Sequence, residues 1–251
     1  MGRTAVRRIT RSAPRADERR PDAVQLGLFT AGPAAPDCSF GNLTRHRLAE
    51  RSWVEHAPGW LAGSDEVWAT LAERVEWRHG RRRMYDQMVD EPRLTQSYGR
   101  SEGPFPHPAL VELFDVLSAR YGAHFDSVGL NFYRDGADSV AWHGDRVART
   151  VPEPLVAIVS VGEPRPFLLR PAGGGRSRAF NLGSGDLLVM GGDCQRELEH
   201  SVPKVALAGP RISITYRHST PAAASPAQPV AVAGSPAGSA PSTNCVRDSS
   251  A

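Results

Sequence analysis

Two regimes of hydrophobic spacing divide the chain near Gly122. Upstream, Val67, Trp68, Leu71 and Val75 recur at helical intervals behind Ser64-Asp65-Glu66, which reads as a cap followed by an acidic first turn. A second helix is predicted after Pro108, a residue suited to a first helical position. It carries Leu110, Leu113, Phe114 and Leu117 and stops at Gly122. Both are read as packing helices. Downstream the chain breaks into short strand-like runs: Val128–Tyr133, Leu155–Val161, Pro166–Arg170, Leu187–Met190 and Ile212–Tyr216. Turns at Asp135-Gly136, Gly173-Gly174-Gly175 and Gly183-Ser184-Gly185 separate them. Many short strands with turn signals predict a mainly β chain with flanking helices (α+β), arranged as a sandwich or jelly roll.

Neither period holds at the ends. Residues 1–22 carry seven arginines and almost no large apolar side chains, too little apolar surface to offset the entropy of ordering, so a disordered basic arm is expected. Residues 219–251 are rich in Ala, Pro, Ser and Gly and read as a tail without a core. Between these ends, 23–94 is expected to be an N-terminal extension and 95–218 the main domain.

Composition changes this picture only at the margins. A length of 251 residues fits one domain with extensions, and a 40% hydrophobic share supplies its core. The 24 glycines and 21 prolines favour strands and turns over a helical bundle. A net charge of +3 suits a polyanionic partner without requiring one. Cys38, Cys194 and Cys245 are scattered and form neither a disulfide framework nor a zinc pattern, so a reducing cytoplasm is expected. No apolar run approaches membrane-spanning length, no apolar segment follows the Arg-rich start as a secretory signal would, and nothing points to an oligomer, so a monomer is expected.

Candidate chemistry lies in the strand-like half. In extended chain, residues two apart point the same way, so His143 and Asp145 can reach one ion together. His200 lies far enough along the chain for several strands to bring it back to the same place. Two imidazoles and one carboxylate make the facial triad of non-haem iron(II) oxygenases, with coordination positions left open. His-x-Asp is a weak signal alone, and a surface pair is its bland alternative. Alternation in Arg211–Arg217 puts Arg211, Ser213, Thr215 and Arg217 on one face and Ile212, Ile214 and Tyr216 on the other. If the polar face lines a cavity, its arginines need an anion, and a dicarboxylate suits a guanidinium fork. An edge strand with exposed arginines remains the alternative. Asn131 and Tyr133 likewise share a face, as neutral partners for carboxylate oxygens or as ordinary surface residues.

Taken in order, Asn131-Phe132-Tyr133, Gly136, His143-Gly144-Asp145, Val159-Ser-Val161-Gly162, Gly185-Asp-Leu-Leu-Val-Met190, His200-Ser-Val-Pro203 and Arg211-Ile-Ser-Ile-Thr-Tyr-Arg217 resemble the AlkB family of nucleic-acid dealkylases. The resemblance covers roughly residues 95 to 218. It implies a double-stranded β-helix, or jelly roll, using Fe(II), 2-oxoglutarate and O2. It implies that His143, Asp145 and His200 are the iron ligands, that Asn131 and Tyr133 contact 2-oxoglutarate, that Arg211 pairs with its distal carboxylate, and that Arg217 lies near its inner end. Ser213 stands where the family often has Asn, and Val147 where some members have an acid, which leaves base preference open. The implied reaction decarboxylates 2-oxoglutarate to succinate, hydroxylates an N-alkyl carbon of a base in alkylated DNA or RNA, and releases an aldehyde. The target base must be single-stranded or leave the stack.

Substrate contacts are expected before the core. Arg78, Arg81, Arg82 and Arg83, followed by Met84-Tyr85, mix basic and aromatic character suited to phosphates and bases. Pro92-Arg93 through Tyr98-Gly99 resembles part of the family's nucleotide lid, and Arg176 and Arg178 are further possible phosphate contacts. A solvated basic loop is the plain alternative. Gln25-Leu26-Gly27-Leu28-Phe29 is an isolated apolar peptide. It resembles the peptide by which bacterial repair proteins bind the sliding clamp, or it packs on the domain. Hydroxylation of a protein or small molecule, and nucleic-acid binding without catalysis, are the rival readings on the same fold.

Overall fold

The computed structural model describes residues 32–84, 87–145 and 151–219, with backbone alone at 82–84 and 87–90. The expected basic arm, the peptide Gln25–Phe29, Tyr85, Val147 and the tail from 220 onward lie outside the described residues.

Strands β1 (Ala35–Pro36), β2 (Thr44–Arg47), β3 (Ser52–Ala57) and β4 (Leu61–Ala62) precede helix α1 (Ser64–Arg74). The hairpin β5 (Arg78–Met84) and β6 (Gln87–Gly99) leads to α2 (Ala109–Tyr121). Then come β7 (Ser127–Tyr133), β8 (Val140–His143), β9 (Val156–Gly162), β10 (Arg165–Pro171), β11 (Arg178–Leu182) and β12 (Leu187–Gly192). The short helix α3 (Cys194–Glu197), β13 (Leu198–Val202) and β14 (Arg211–Arg217) complete the fold. The major sheet runs β2-β3-β12-β9-β14-β7-β6-β5, the minor sheet runs β11-β10-β13-β8, and β1 pairs with β4. Consecutive strands repeatedly change sheet, as the jelly-roll expectation requires.

Two apolar layers follow from strand alternation. On one face of the major sheet, Val128, Leu130, Val159, Val161, Ile212, Ile214 and Tyr216 pack against Val67 and Leu71 of α1 and Leu110, Leu113, Phe114 and Leu117 of α2. Phe114 meets Tyr216 edge to face at 4.8 Å, and the Tyr216 hydroxyl donates to the Leu110 carbonyl at 3.1 Å. Between the two sheets, Tyr133, Val156, Ile158, Phe167, Leu169, Leu182, Leu188 and Met190 form the second layer.

The structure corrects several expectations. Ser64 is not the cap of α1. Gly63 holds that place in a left-handed conformation, and the Ser64 hydroxyl instead meets that of Ser184 at 2.9 Å. The division at 94/95 falls inside β6, and β2 and β3 belong to the same sheet as β14, because β3 pairs along its length with β12. The described residues form one unit. Cys194 is a buried free thiol, whereas Cys38 is disulfide-bonded, a pairing that the scattered cysteines do not suggest. Among the described residues, no helix is long and apolar enough to cross a membrane.

Candidate active site

The inner face of the jelly roll collects the polar residues. His143 closes β8 and pairs directly with His200 of β13, their ring centroids 4.3 Å apart. Asp145 follows through Gly144, and one ligand atom from each of His143, Asp145 and His200 lies within 4.8 Å of the others. The Asp145 backbone N–H donates to the Gln195 side-chain oxygen at 3.0 Å, which fixes the chain where it leaves β8. Phe167 stacks on His200 with centroids 5.3 Å apart.

The hydrogen bonds around the three residues leave donor atoms over. Arg217 donates from Nε and Nη2 to Asp145 Oδ1 at 2.9 and 2.7 Å, while Asp145 Oδ2 is buried without a hydrogen-bond partner. A carbonyl only accepts, so the 2.8 Å contact from His143 Nδ1 to the Ala141 carbonyl places the proton on Nδ1 and leaves the lone pair on Nε2. Burial alone would raise the Asp145 carboxyl, but the Arg217 guanidinium holds it below its ordinary value, so it is anionic. Burial pushes the His200 imidazolium down to about 3, so that ring is neutral. An orphaned anionic oxygen beside the neutral His200 ring and the His143 imidazole is a donor set that fits a divalent iron ion.

A second polar group lies further along the same face. Arg211 is 1% exposed at the start of β14. Its Nε donates to Ser160 Oγ at 2.8 Å, and both Nη atoms are buried without partners. Burial draws the guanidinium down to about 10, which still leaves a cation at neutral pH. Strand register surrounds it with the expected neighbours: Tyr133 pairs with Arg211, and Ser213 lies between Asn131 and Ser160. Burial raises the Tyr133 phenol, which therefore keeps its proton as a donor. A buried cation with two unsatisfied nitrogens calls for an anion, and a carboxylate matches its fork.

A family model for the 2OG-Fe(II) oxygenase superfamily matches residues 93–217, the stretch holding both groups. Alpha-ketoglutarate-dependent dioxygenase alkB homolog 3 of Bos taurus is 31% identical over 177 residues, 62% of each chain. DNA oxidative demethylase ALKBH2 of Arabidopsis thaliana is 36% identical over 135 residues, 44% of this chain and 43% of that one.

The chain is an AlkB-type 2OG-Fe(II) oxygenase.

DNA oxidative demethylase ALKBH2 of Mus musculus adds a longer match, 27% identical over 230 residues, 80% of this chain and 96% of that one. The chain spans about 62% of the length of the Bos taurus relative. The cofactors of this family are Fe(II), 2-oxoglutarate and O2, and the triad has the composition to hold the iron.

The AlkB-type chain does not gather every expected residue at this site. Tyr98 of β6 pairs with Val128 and packs against Phe105, 5.8 Å between rings, on the helix side of the major sheet. That is the face opposite the triad, so it does not reach the metal-ligand candidates. Arg82 falls on β5, and its side chain is outside the described set. Arg178 lies over Phe180 and meets His46 Nδ1 at 2.9 Å. Asn131 is less free than expected, because its amide oxygen accepts from Arg93 Nε at 2.9 Å; what it can offer a ligand is its amide N–H. Ser160, Gln195 and Phe167 escaped sequence reading. Ser160 lay inside the Val159-Ser-Val161-Gly162 run but was not singled out, and Gln195 carried no periodic signal.

Proposed function

We propose that this protein oxidatively removes alkyl groups from N-alkylated bases, such as 1-methyladenine or 3-methylcytosine, in DNA or RNA. The observation that carries the reading is the orphaned Asp145 Oδ2, buried beside His143 and His200 within one ligand-atom cluster. The names of the relatives, a DNA oxidative demethylase among them, supply the substrate class.

In this reading His143, Asp145 and His200 hold iron, which with 2-oxoglutarate and O2 supplies the oxidising power for hydroxylating an N-alkyl carbon. Arg217 keeps Asp145 ionised and takes up its Oδ1, which leaves a single oxygen for the ion. Gln195 anchors the Asp145 backbone, and Ala141 fixes the His143 tautomer. Arg211, with Ser160 behind it, binds the distal carboxylate of 2-oxoglutarate, while Tyr133, Asn131 and Ser213 orient the rest. The apolar layer between the sheets, with Phe167 on His200, excludes water from the reacting centre. Arg82, Tyr85 and Tyr98 remain proposed nucleic-acid contacts, Tyr98 only through a substrate that reaches the far face. Gln25–Phe29 is proposed to bind a bacterial sliding clamp; a peptide of residues 20–32 that failed to bind one would end that part of the reading.

The test mixes Fe(II)-reconstituted protein with 2-oxoglutarate, air and an oligonucleotide bearing 1-methyladenine, then follows succinate and methyl loss. Demethylation absent from His143→Ala supports the reading. Succinate without demethylation would move the substrate to a protein or small molecule.

A further inference from the structure

A second arginine is buried as completely as Arg211. Arg165 begins β10, directly after the chain leaves β9, and is 1% exposed. It shares the inner face with Phe167 and Leu169. Its guanidinium carbon lies 5.6 Å from the Tyr133 ring centroid, and that of Arg211 lies 5.5 Å from the same centroid. Both cations therefore lie near one phenol ring.

The bonds Arg165 makes do not account for its charge. Nη1 donates to the Asp135 carbonyl, and Nη2 to those of Asp138 and Pro203, each at 2.8 Å. These acceptors come from the loop before β8 and the loop after β13, so the side chain ties together the approaches to both histidine-bearing strands. Those loops are already joined without it: the Val205 N–H donates to the Gly136 carbonyl at 2.9 Å, and a Cβ on Gly136 would stand 2.4 Å from the Val205 carbonyl oxygen. Bridging carbonyls needs donors but no cation. Among the described residues no carboxylate pairs with Arg165. The nearby Asp138 carboxylate is engaged by Arg134 through the backbone N–H, Nε and Nη2, at 2.9, 2.7 and 2.9 Å. Arg165 Nε is buried without a partner, as are both Nη atoms of Arg211. A carboxylate has about four lone-pair sites, more than one guanidinium fork fills.

We propose that Arg165 is a second cation of the co-substrate pocket, so that two guanidiniums, not one, select a 2-oxo acid bearing a distal carboxylate. This inference rests on the 2-oxoglutarate reading of Arg211. Arg165 Nε–H donates to that carboxylate while its Nη atoms stay on the three loop carbonyls. The pocket thereby couples co-substrate binding to the loops that adjoin the strands of His143 and His200.

The test uses full-length protein loaded with Zn(II), which gives no turnover, and compares binding of 2-oxoglutarate with 2-oxobutyrate, which lacks the distal carboxylate. Arg165→Gln removes the charge and retains one NH2 group, with two donors against the three loop bonds of Arg165. It should lower the preference for 2-oxoglutarate roughly tenfold, the size of one charge-assisted contact. Arg165→Lys should retain most of the preference. Equal weakening of both ligands, or no change in either, would overturn the proposal, since a purely structural clamp predicts one of those results. Should the Gln variant not fold, the unaltered protein decides. Its Arg165 Nε–H resonance, assigned by its loss in Arg165→Lys, should shift with 2-oxoglutarate and not with 2-oxobutyrate; a resonance that both ligands leave in place overturns the proposal. Arg211→Gln separates the two claims, because a preference that survives it refutes the underlying pocket assignment itself.

Discussion

On its helix side β14 presents Ile212, Ile214 and Tyr216, each fully buried among the leucines of α1 and α2 and Phe114 of α2. On its inner side the same seven residues present Arg211, Ser213, Thr215 and Arg217, in a space where Arg211 and Asp145 keep atoms that no protein group satisfies. One face is apolar and asks for no ion or anion, and the other holds unmatched charged groups. Burial of apolar surface stabilises the first at about 25 cal/mol per Å². The second spends stability to hold charges ready for an ion and an anion. Substitutions on the two faces should therefore differ in kind.

The largest effect is expected at the proposed metal ligands. Asp145→Ala should abolish Fe(II)-dependent succinate formation, a loss well beyond the roughly 10–100-fold typical of groups that only support a ligand. Wild-type turnover in that variant would break the comparison. On the other face, Phe114→Ala should cost about 3–5 kcal/mol in chemical denaturation while leaving Fe(II) affinity of the folded fraction unchanged. Arg211→Met sharpens the contrast. It should weaken 2-oxoglutarate binding by at least about tenfold, yet leave the ligand-free protein as stable as wild type or more so, because an unpaired buried charge is removed. A drop in its ligand-free melting temperature would contradict that reading. Gln195→Ala should lower Fe(II) affinity by about 10-fold through the freed Asp145 backbone, measured by competition with a chelator.

The smallest effect is a pH dependence. Burial alone would raise the Asp138 carboxyl, but its bonds from Arg134 hold it below the ordinary value. A depressed carboxyl stabilises the fold above its unfolded value near 4 and loses that stabilisation as pH falls through the folded value. Asp138→Asn should flatten the acid side of the stability curve by no more than about 1 kcal/mol, since Arg134 is half exposed.

Legibility from sequence divides along the same line. The central strands β7, β9, β12 and β14 could be read because their apolar residues are continuous or alternate cleanly, and the two helices because their spacing is regular. The outer strands could not. In β2, Thr44–Arg47 carries no large apolar residue, and β5 reads Arg-His-Gly-Arg-Arg-Arg-Met, so pairing with a neighbour makes them strands where their own pattern does not. The triad was recognisable as an ordered set of motifs. Arg165 was not: in Arg165–Pro171 the adjacent Leu168 and Leu169 hide which face turns inward, so only the pairing of β10 with β13 shows it.

The account stands on the inner face holding one iron ion at His143, Asp145 and His200. Anaerobic titration of the full-length protein with Fe(II), followed by 2-oxoglutarate, tests it most directly. The account predicts one ion per chain, lost in Asp145→Ala and in His200→Ala, with 2-oxoglutarate bound tightly only when the ion is present and Arg211 intact. Iron binding that survives both substitutions, or no iron binding by the unaltered protein, would contradict it.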